Sequence, residues 1–366
     1  MIPLFKVHMP GSVLEPLKEV LLSGYIGQGP KVEEFERQLA KWVGNPNCLT
    51  LNSGTSALHL AMRLAGVERG TEVIASPMTC NASNEPILER GADIVWADIN
   101  PWDGNIDPLD VERKITPKTK AILAVHWGGY PCDLDVLGRI AKKYGVALIE
   151  DAAHAFGATY KGRPVGTHSS FACFSFQAIK VLTTVDGGLL VCPSVDDYRR
   201  GKLLRWYGID RETPKKDMRV EEDIKEYGYK FHMNDVNAVI GLEQLKYVEN
   251  LLYRQRGNAA FYNERFQDLR RVKRLVYQSD RLSSCWLYTI RVDDRESFQD
   301  WMRARDIMVS QVHVRNDVHT AFKTFRKVLP GVDEFAIRQV SIPVGWWVTD
   351  EDREKIAKAT VEWDAR

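Results

Sequence analysis

Three stretches of this chain place reactive or ligand-binding side chains where an apolar segment stops. Lys180 ends FACFSFQAIK (171–180), with Phe174, Phe176, Ile179, Val181 and Leu182 around it and no acid close by in sequence. Lysine is rarely buried unless something holds it. An amine in apolar surroundings has a lowered pKa, as a Schiff-base lysine needs, although a lysine snorkelling from a strand end is the plainer alternative. Asp151 follows VALIE and opens DAAHAFGA. A carboxylate there is costly unless it meets a cation or a donor, and capping a helix is its plainer role. After CLTLNS comes SGTSA (53–57), a small-residue turn opening a helix. Its free amides would suit a phosphate, unless Ser53 or Thr55 simply caps the helix.

Together these parts describe a pyridoxal phosphate site. That cofactor needs a lysine for its aldehyde, an acid to keep its pyridine nitrogen protonated and donors for its phosphate. The chain order is phosphate turn, acid, lysine, and Ser175 lies five residues before Lys180, where a hydroxyl could reach a phosphate. Ala152 and Ala153 are small enough for a flat ligand to lie close to the backbone. His154 alone reads as a structural histidine.

The elements that must position these residues alternate in type. CLTLNS, TEVIASP, GADIVWADI, AILAVHW, VALIEDA, FACFSF and GLLVC read as strands, and TSALHLAMRLAGV and DLDVLGRIAKKYG as helices. Apolar strands alternating with helices predict an α/β fold with a mainly parallel sheet covered on both faces, where ligands bind at the carboxyl ends of the strands. The charged stretch DRETPKKDMRVEEDIKEYG reads as an exposed excursion. Beyond it, NLLYRQRGNAAFYNERFQDL reads as a helix, CWLYTIRV as a strand, FQDWMRARDI as a helix and MVSQVHV as a strand. The expected division is a large domain over 15–250 and a smaller α+β domain over 251–366, joined by residues 1–14.

Composition narrows the function classes. Lys and Arg total 50 against 49 Asp and Glu, so no global field favours nucleic acid or an anionic membrane. Six cysteines lie scattered without metal-like spacing, which fits free thiols in a reducing cytoplasm. The start MIPLFKVHMPGS is unlike a signal peptide, and no run reaches the roughly 20 apolar residues of a membrane helix. A nicotinamide-dependent dehydrogenase would need a GxGxxG turn, which is missing.

Longer motifs carry a resemblance. GYIGQGPKVEEFE (24–36), SGTSALHLAM (53–62), GADIVWADI (91–99), IEDAAHAFGATYKGRPVGT (149–167), FSFQAIKVLTTVDGG (174–188), LLRWYGI (203–209) and FHMNDVNAVIGLEQL (231–245) run through nearly the whole chain. In them the chain resembles the DegT/DnrJ/EryC1/StrS sugar aminotransferases, pyridoxal phosphate enzymes of fold type I, the aspartate-aminotransferase fold. The resemblance implies a seven-stranded-type sheet and a homodimer with shared active sites. It implies ping-pong transamination of a ketosugar, typically nucleotide-linked and deoxy, with L-glutamate as donor. It makes Lys180 the internal Schiff-base residue and proton shuttle, and pairs Asp151 with the pyridine nitrogen. His154 falls near the phenolic oxygen, Ala153 on one ring face, and Gly54, Thr55, Ser56 and Ser175 at the phosphate. Relatives with His in place of this lysine dehydrate instead, and the amine at Lys180 argues against that outcome.

Three positions depart from the family pattern. Cys80, in SPMTCNAS, stands where an aromatic usually stacks on the ring. GYKFHM puts Lys230 where an asparagine usually reaches the other subunit's phosphate, and its cation could do so. HWGGYPCD (126–133) replaces the sugar-side motif HLYGQPAD. Tyr25, His126, Trp127, His313 and Arg315 are the substrate-side candidates. His313 and Arg315 alternate along the expected strand and so share one face, unless that strand is a solvated edge. Trp346 and Trp347 fit packing better than ligand stacking. Two other readings remain beside the leading one. A keto-cyclitol or a ketosugar without a nucleotide could be the acceptor. A silent sugar-binding relative should have lost Lys180 or Asp151, and neither is lost.

Overall fold

The computed structural model describes residues 1–213 and 223–366, so the middle of the expected charged excursion, 214–222, lies outside the described residues. All seven apolar runs of the first half form strands, and they join one sheet. In chain order these are β1 Cys48–Leu51, β2 Glu72–Ala75, β3 Asp93–Trp96, β4 Thr119–Val125 and β5 Ala147–Asp151. A two-residue pair follows, β6 Thr159–Tyr160 and β7 Arg163–Pro164, and then β8 Phe171–Ser175 and β9 Gly188–Val191. The sheet order is β1-β9-β8-β5-β4-β2-β3. Six strands point the same way, and β9 runs against both its neighbours.

Side-chain alternation explains why these runs carry no polar stripe. Leu49, Leu51, Val73, Ala75, Ala121, Leu123, Ile149, Phe171, Cys173 and Leu190 face one apolar cluster. Their alternates Ile74, Ile122, Ala124 and Leu148, or Ala172, Phe174, Leu189 and Val191, face clusters on the other side. A sheet buried on both faces needs apolar residues at both parities. The helices that cover it include α2 Pro30–Val43, α3 Gly54–Leu64 and α4 Asn81–Glu89, whereas α1 Leu14–Leu22 packs on the helix Asp235–Leu245. Helix Leu134–Tyr144 ends where expected, at Gly145 in the left-handed conformation with φ 66°.

The C-terminal part builds its own antiparallel sheet from β10 Val272–Arg274, β12 Tyr288–Val292 and β13 Gln339–Ile342, in the order β10-β12-β13. Between them, β11 Arg281–Leu282 pairs with β6. Helices Val248–Arg265, Arg295–Arg303 and Asp350–Asp364 place Tyr262, Phe298, Met302, Ile356 and Trp363 against Ile290, Val292, Val340 and Ile342. Ile2 joins this cluster and bridges to Ile307. The indoles of Trp346 and Trp347 donate to the carbonyls of Lys6 and Pro3 at 3.3 and 2.9 Å, so this pair packs on the N-terminal segment.

One expected strand is absent. MVSQVHV is extended coil whose ladder contact is the single Ser310–Ser341 bridge. Val309 and Val312 there pack on two different apolar clusters while Met308 and Val314 are exposed, and no neighbour completes a ladder.

Candidate active site

The carboxyl ends of β1, β5 and β8 lie along one edge of the sheet, because the three strands share a direction. The antiparallel β9 brings its amino end to the same edge. A cavity of about 310 Å³ opens there, lined among others by Ser53, Gly54, Thr55, Cys80, Asp151, Ala153, His154, Ser175, Lys180 and His313.

At the end of β1 the Ser53 hydroxyl accepts from the Ser56 amide at 3.0 Å and caps α3. The cap coexists with a cradle. The Gly54 and Thr55 amides belong to the first-turn donors that find no acceptor within their own helix. A Cβ on Gly54 would lie 2.9 Å from the Ser175 Cβ, and one on Gly188 would lie 2.3 Å from the Ser53 carbonyl oxygen. Only glycine at both places lets the β1 turn, β8 and β9 meet.

Lys180 sits in the β8–β9 connection, which is closed by the Phe176 amide on the Gly187 carbonyl at 2.8 Å. Its Nζ lies 3.7 Å from the centre of the Trp286 ring. The indole donates in turn to the Ile179 carbonyl at 2.9 Å. Burial pulls the Lys180 ammonium down to about 8, against Asp151 and Cys80, which favour the charged form.

Asp151 ends β5, almost fully buried. One carboxylate oxygen accepts from the Ala153 amide at 3.0 Å and the other from the Ser83 hydroxyl at 2.6 Å. His154 stacks on Trp286 with ring centres 3.9 Å apart and lies near-parallel to His313 at 5.6 Å. Burial, helped by Lys180, holds His154 well below its usual pKa and His313 at about 4, so both rings are neutral. His154 Nδ1 and His313 Nε2 are buried without a hydrogen-bond partner.

Other expected residues lie elsewhere. Ser56 does not line the cavity, because its hydroxyl is held by Asn52 Oδ1 at 2.6 Å and by Ser53. His126 and Trp127 are core, which corrects their assignment to the sugar side. The His126 ring lies between Glu150, at 2.9 Å, and the Cys132 amide, and the Trp127 indole donates to Thr289 and packs on Phe335. Arg315 does not share a face with His313. Asp317 takes its guanidinium in two bonds of 2.6 Å and Asp333 pairs with it as well, so its charge is spent internally. Tyr25 and Lys230 are exposed and outside this cavity.

Sequence reading missed Trp286, Thr79, Ser83 and Asp186 in the lining. Thr79 and Ser83, one helical turn apart in TCNAS, were a legible hydroxyl pair. Trp286 gave no signal, since its place depends on how the C-terminal part meets β8.

The residues present suit pyridoxal phosphate. There is an amine beside a buried carboxylate, an amide cradle that only glycine permits, and two orphaned ring nitrogens in the wall. Comparison with known proteins gives the same cofactor. The structure of sugar aminotransferase CalS13 from Micromonospora echinospora superposes with a TM-score of 0.95 at 40% identity, over 99% of this chain and 100% of that one. The PLP-form of Spr1654 from Streptococcus pneumoniae gives 0.92 at 29% identity, over 100% and 98%. The spore coat polysaccharide biosynthesis protein SpsC of Bacillus subtilis is 30% identical over 360 residues, 94% of this chain and 92% of SpsC. The DegT/DnrJ/EryC1/StrS aminotransferase family profile matches residues 10–361. The chain belongs to that family and is a pyridoxal-phosphate-dependent transaminase of the sugar aminotransferase type.

Proposed function

We propose that this transaminase moves an amino group from L-glutamate to the keto carbon of a nucleotide-linked deoxysugar. The observation that carries the site assignment is that the Lys180 amine, the Asp151 carboxylate and the Gly54–Thr55 turn line one cavity. Bound there, the cofactor supplies an aldehyde and a ring that accepts electrons from the amino acid's α-carbon.

This chain's residues do the rest. Lys180 would provide the amine for covalent attachment and would carry the proton between the amino acid's α-carbon and the cofactor carbon. Its pKa of about 8 leaves part of it uncharged near neutrality, as both tasks require. Asp151 would keep a proton on the ring nitrogen by its negative charge. Gly54, Thr55 and Ser175 would hold the phosphate, His154 would meet the phenolic oxygen and Ala153 would face the ring. Cys80, which lines the cavity, would stand beside the ring where the family pattern has an aromatic. His313, neutral and lacking a partner at Nε2, contacts a sugar hydroxyl better than a carboxylate.

Among the described lining residues, Lys180 is the one Lys or Arg. A cofactor phosphate and a dicarboxylate donor need more positive charge, which supports a homodimer in which the exposed Lys230 and Tyr25 reach the partner's cavity. Division near residue 250 draws support from the separate C-terminal sheet and from Ile2 within its core. The cyclitol alternative rested on the changed 126–133 segment. It loses ground because His126 and Trp127 are interior.

The test adds glutamate to purified protein loaded with pyridoxal phosphate and follows the cofactor's absorption. Nucleotide 3-keto and 4-keto sugars are then screened by mass. A glutamate-dependent spectral change followed by an aminated nucleotide sugar is expected. Amination of free ketosugars or keto-cyclitols alone would reject the nucleotide-linked acceptor.

A further inference from the structure

We propose that Ser83, oriented by Thr79, is a positioning residue for the Asp151 carboxylate and sets how firmly that carboxylate holds a protonated pyridine ring. The inference rests on the reading of Asp151 given above.

An ionised carboxylate can only accept hydrogen bonds. The 2.6 Å contact between Ser83 Oγ and Asp151 Oδ2 therefore carries the serine proton toward the aspartate. Ser83 Oγ also lies 2.8 Å from Thr79 Oγ1. With its own proton committed, Ser83 must accept there, so the threonine proton points to Ser83. Both hydroxyl directions are thus fixed by one negative charge. Thr79 is anchored from the C-terminal half of the chain, where Asn316 Nδ2 donates to its carbonyl at 2.8 Å. Asn84 Nδ2 in turn donates to the Asn316 side-chain Oδ1 at 2.6 Å. All four side chains are almost fully buried, so water does not compete for these bonds.

The chemistry of the donor matters. A lysine or arginine at position 83 would neutralise Asp151 and compete with the ring nitrogen for it. A hydroxyl stabilises the ionised form and fixes its rotation while leaving the charge unspent. Short bonds to a charged acceptor are also the stronger kind.

Pyridoxamine phosphate is the probe, because it lacks the aldehyde and cannot bond to Lys180. Its dissociation constant is measured by equilibrium dialysis against the apoprotein at neutral pH. Ser83→Ala should weaken binding about tenfold, the loss of one hydrogen bond to a charged group, while Ser83→Thr stays within about twofold. In the loaded enzyme, Ser83→Ala should lower kcat and leave the KM for glutamate unchanged. On an Asp151→Asn background, Ser83→Ala should cost nothing further, because the two residues act as one unit. If Ser83→Ala does not fold, Thr79→Val carries the same test, with a loss of about threefold that again vanishes on the Asp151→Asn background. Native affinity in Ser83→Ala, or an equal loss with and without Asp151, would overturn the inference and leave the role of Asp151 standing. Native affinity in Asp151→Asn itself would overturn the reading of Asp151 and this inference with it.

Discussion

Lys180 must be uncharged to attack a carbonyl and charged to return a proton, and its surroundings serve both states. Burial disfavours the ammonium, while Asp151 and the face of Trp286 favour it. Lys180→Ala should abolish the glutamate-dependent spectral change altogether, as absorption spectroscopy would show; an unchanged response would end the covalent role. Asp151→Asn keeps the shape but loses the charge, so it should still bind cofactor, more weakly, while turnover falls by at least about a hundredfold in a steady-state assay. Lys180 and Asp151 could be found in the sequence because each is an ionisable side chain at the end of an apolar run. His126 and Arg315 met the same kind of criterion and proved to be satisfied inside the protein, by Glu150 and by Asp317 with Asp333. A residue's type shows what it could do. Whether it is already occupied depends on neighbours that are remote in sequence.

At the scale of elements, the antiparallel β9 decides where the site forms. Because β9 returns beside β1, the hairpin that carries Lys180 closes against the turn at Ser53 and Gly54. Gly188 sits at that junction, where an added Cβ would meet backbone. Gly188→Ala should therefore destabilise the protein by about 1–3 kcal/mol in denaturant unfolding, the usual cost of overpacking, and weaken cofactor binding as well. Native stability in this variant would show that the junction yields easily. The strands were legible because burial on both faces leaves continuous apolar runs, and Gly145 marked its helix end by the same local logic. MVSQVHV shows the limit. Its valines report burial against two clusters, whereas a strand also needs a partner edge, and the sequence does not record one.

For the whole molecule, the neutral histidines of the cavity tie stability to pH. His313 titrates near 4 in the folded chain and near 6.5 when unfolded, so the unfolded state binds more protons between those values. Stability of the apoprotein should accordingly fall as pH drops from 6.5 toward 4. His154, shifted the same way, adds to the loss. Lys180, about 8 folded against 10.5 unfolded, makes stability rise from pH 8 to 10.5. Melting temperatures across the acid range should show a shallower slope for His313→Asn, and an unchanged slope would argue that water reaches that ring freely. Trp286 has a further, optical consequence. Of the ten tryptophans in the sequence, it is the one that lines the described cavity, 3.7 Å beneath the Lys180 amine. Bound pyridoxal phosphate absorbs where indoles emit, so energy transfer from this side chain should be the most efficient in the molecule. Intrinsic fluorescence then becomes a gauge of occupancy, and Trp286→Phe should remove more of the quenching than of the total emission.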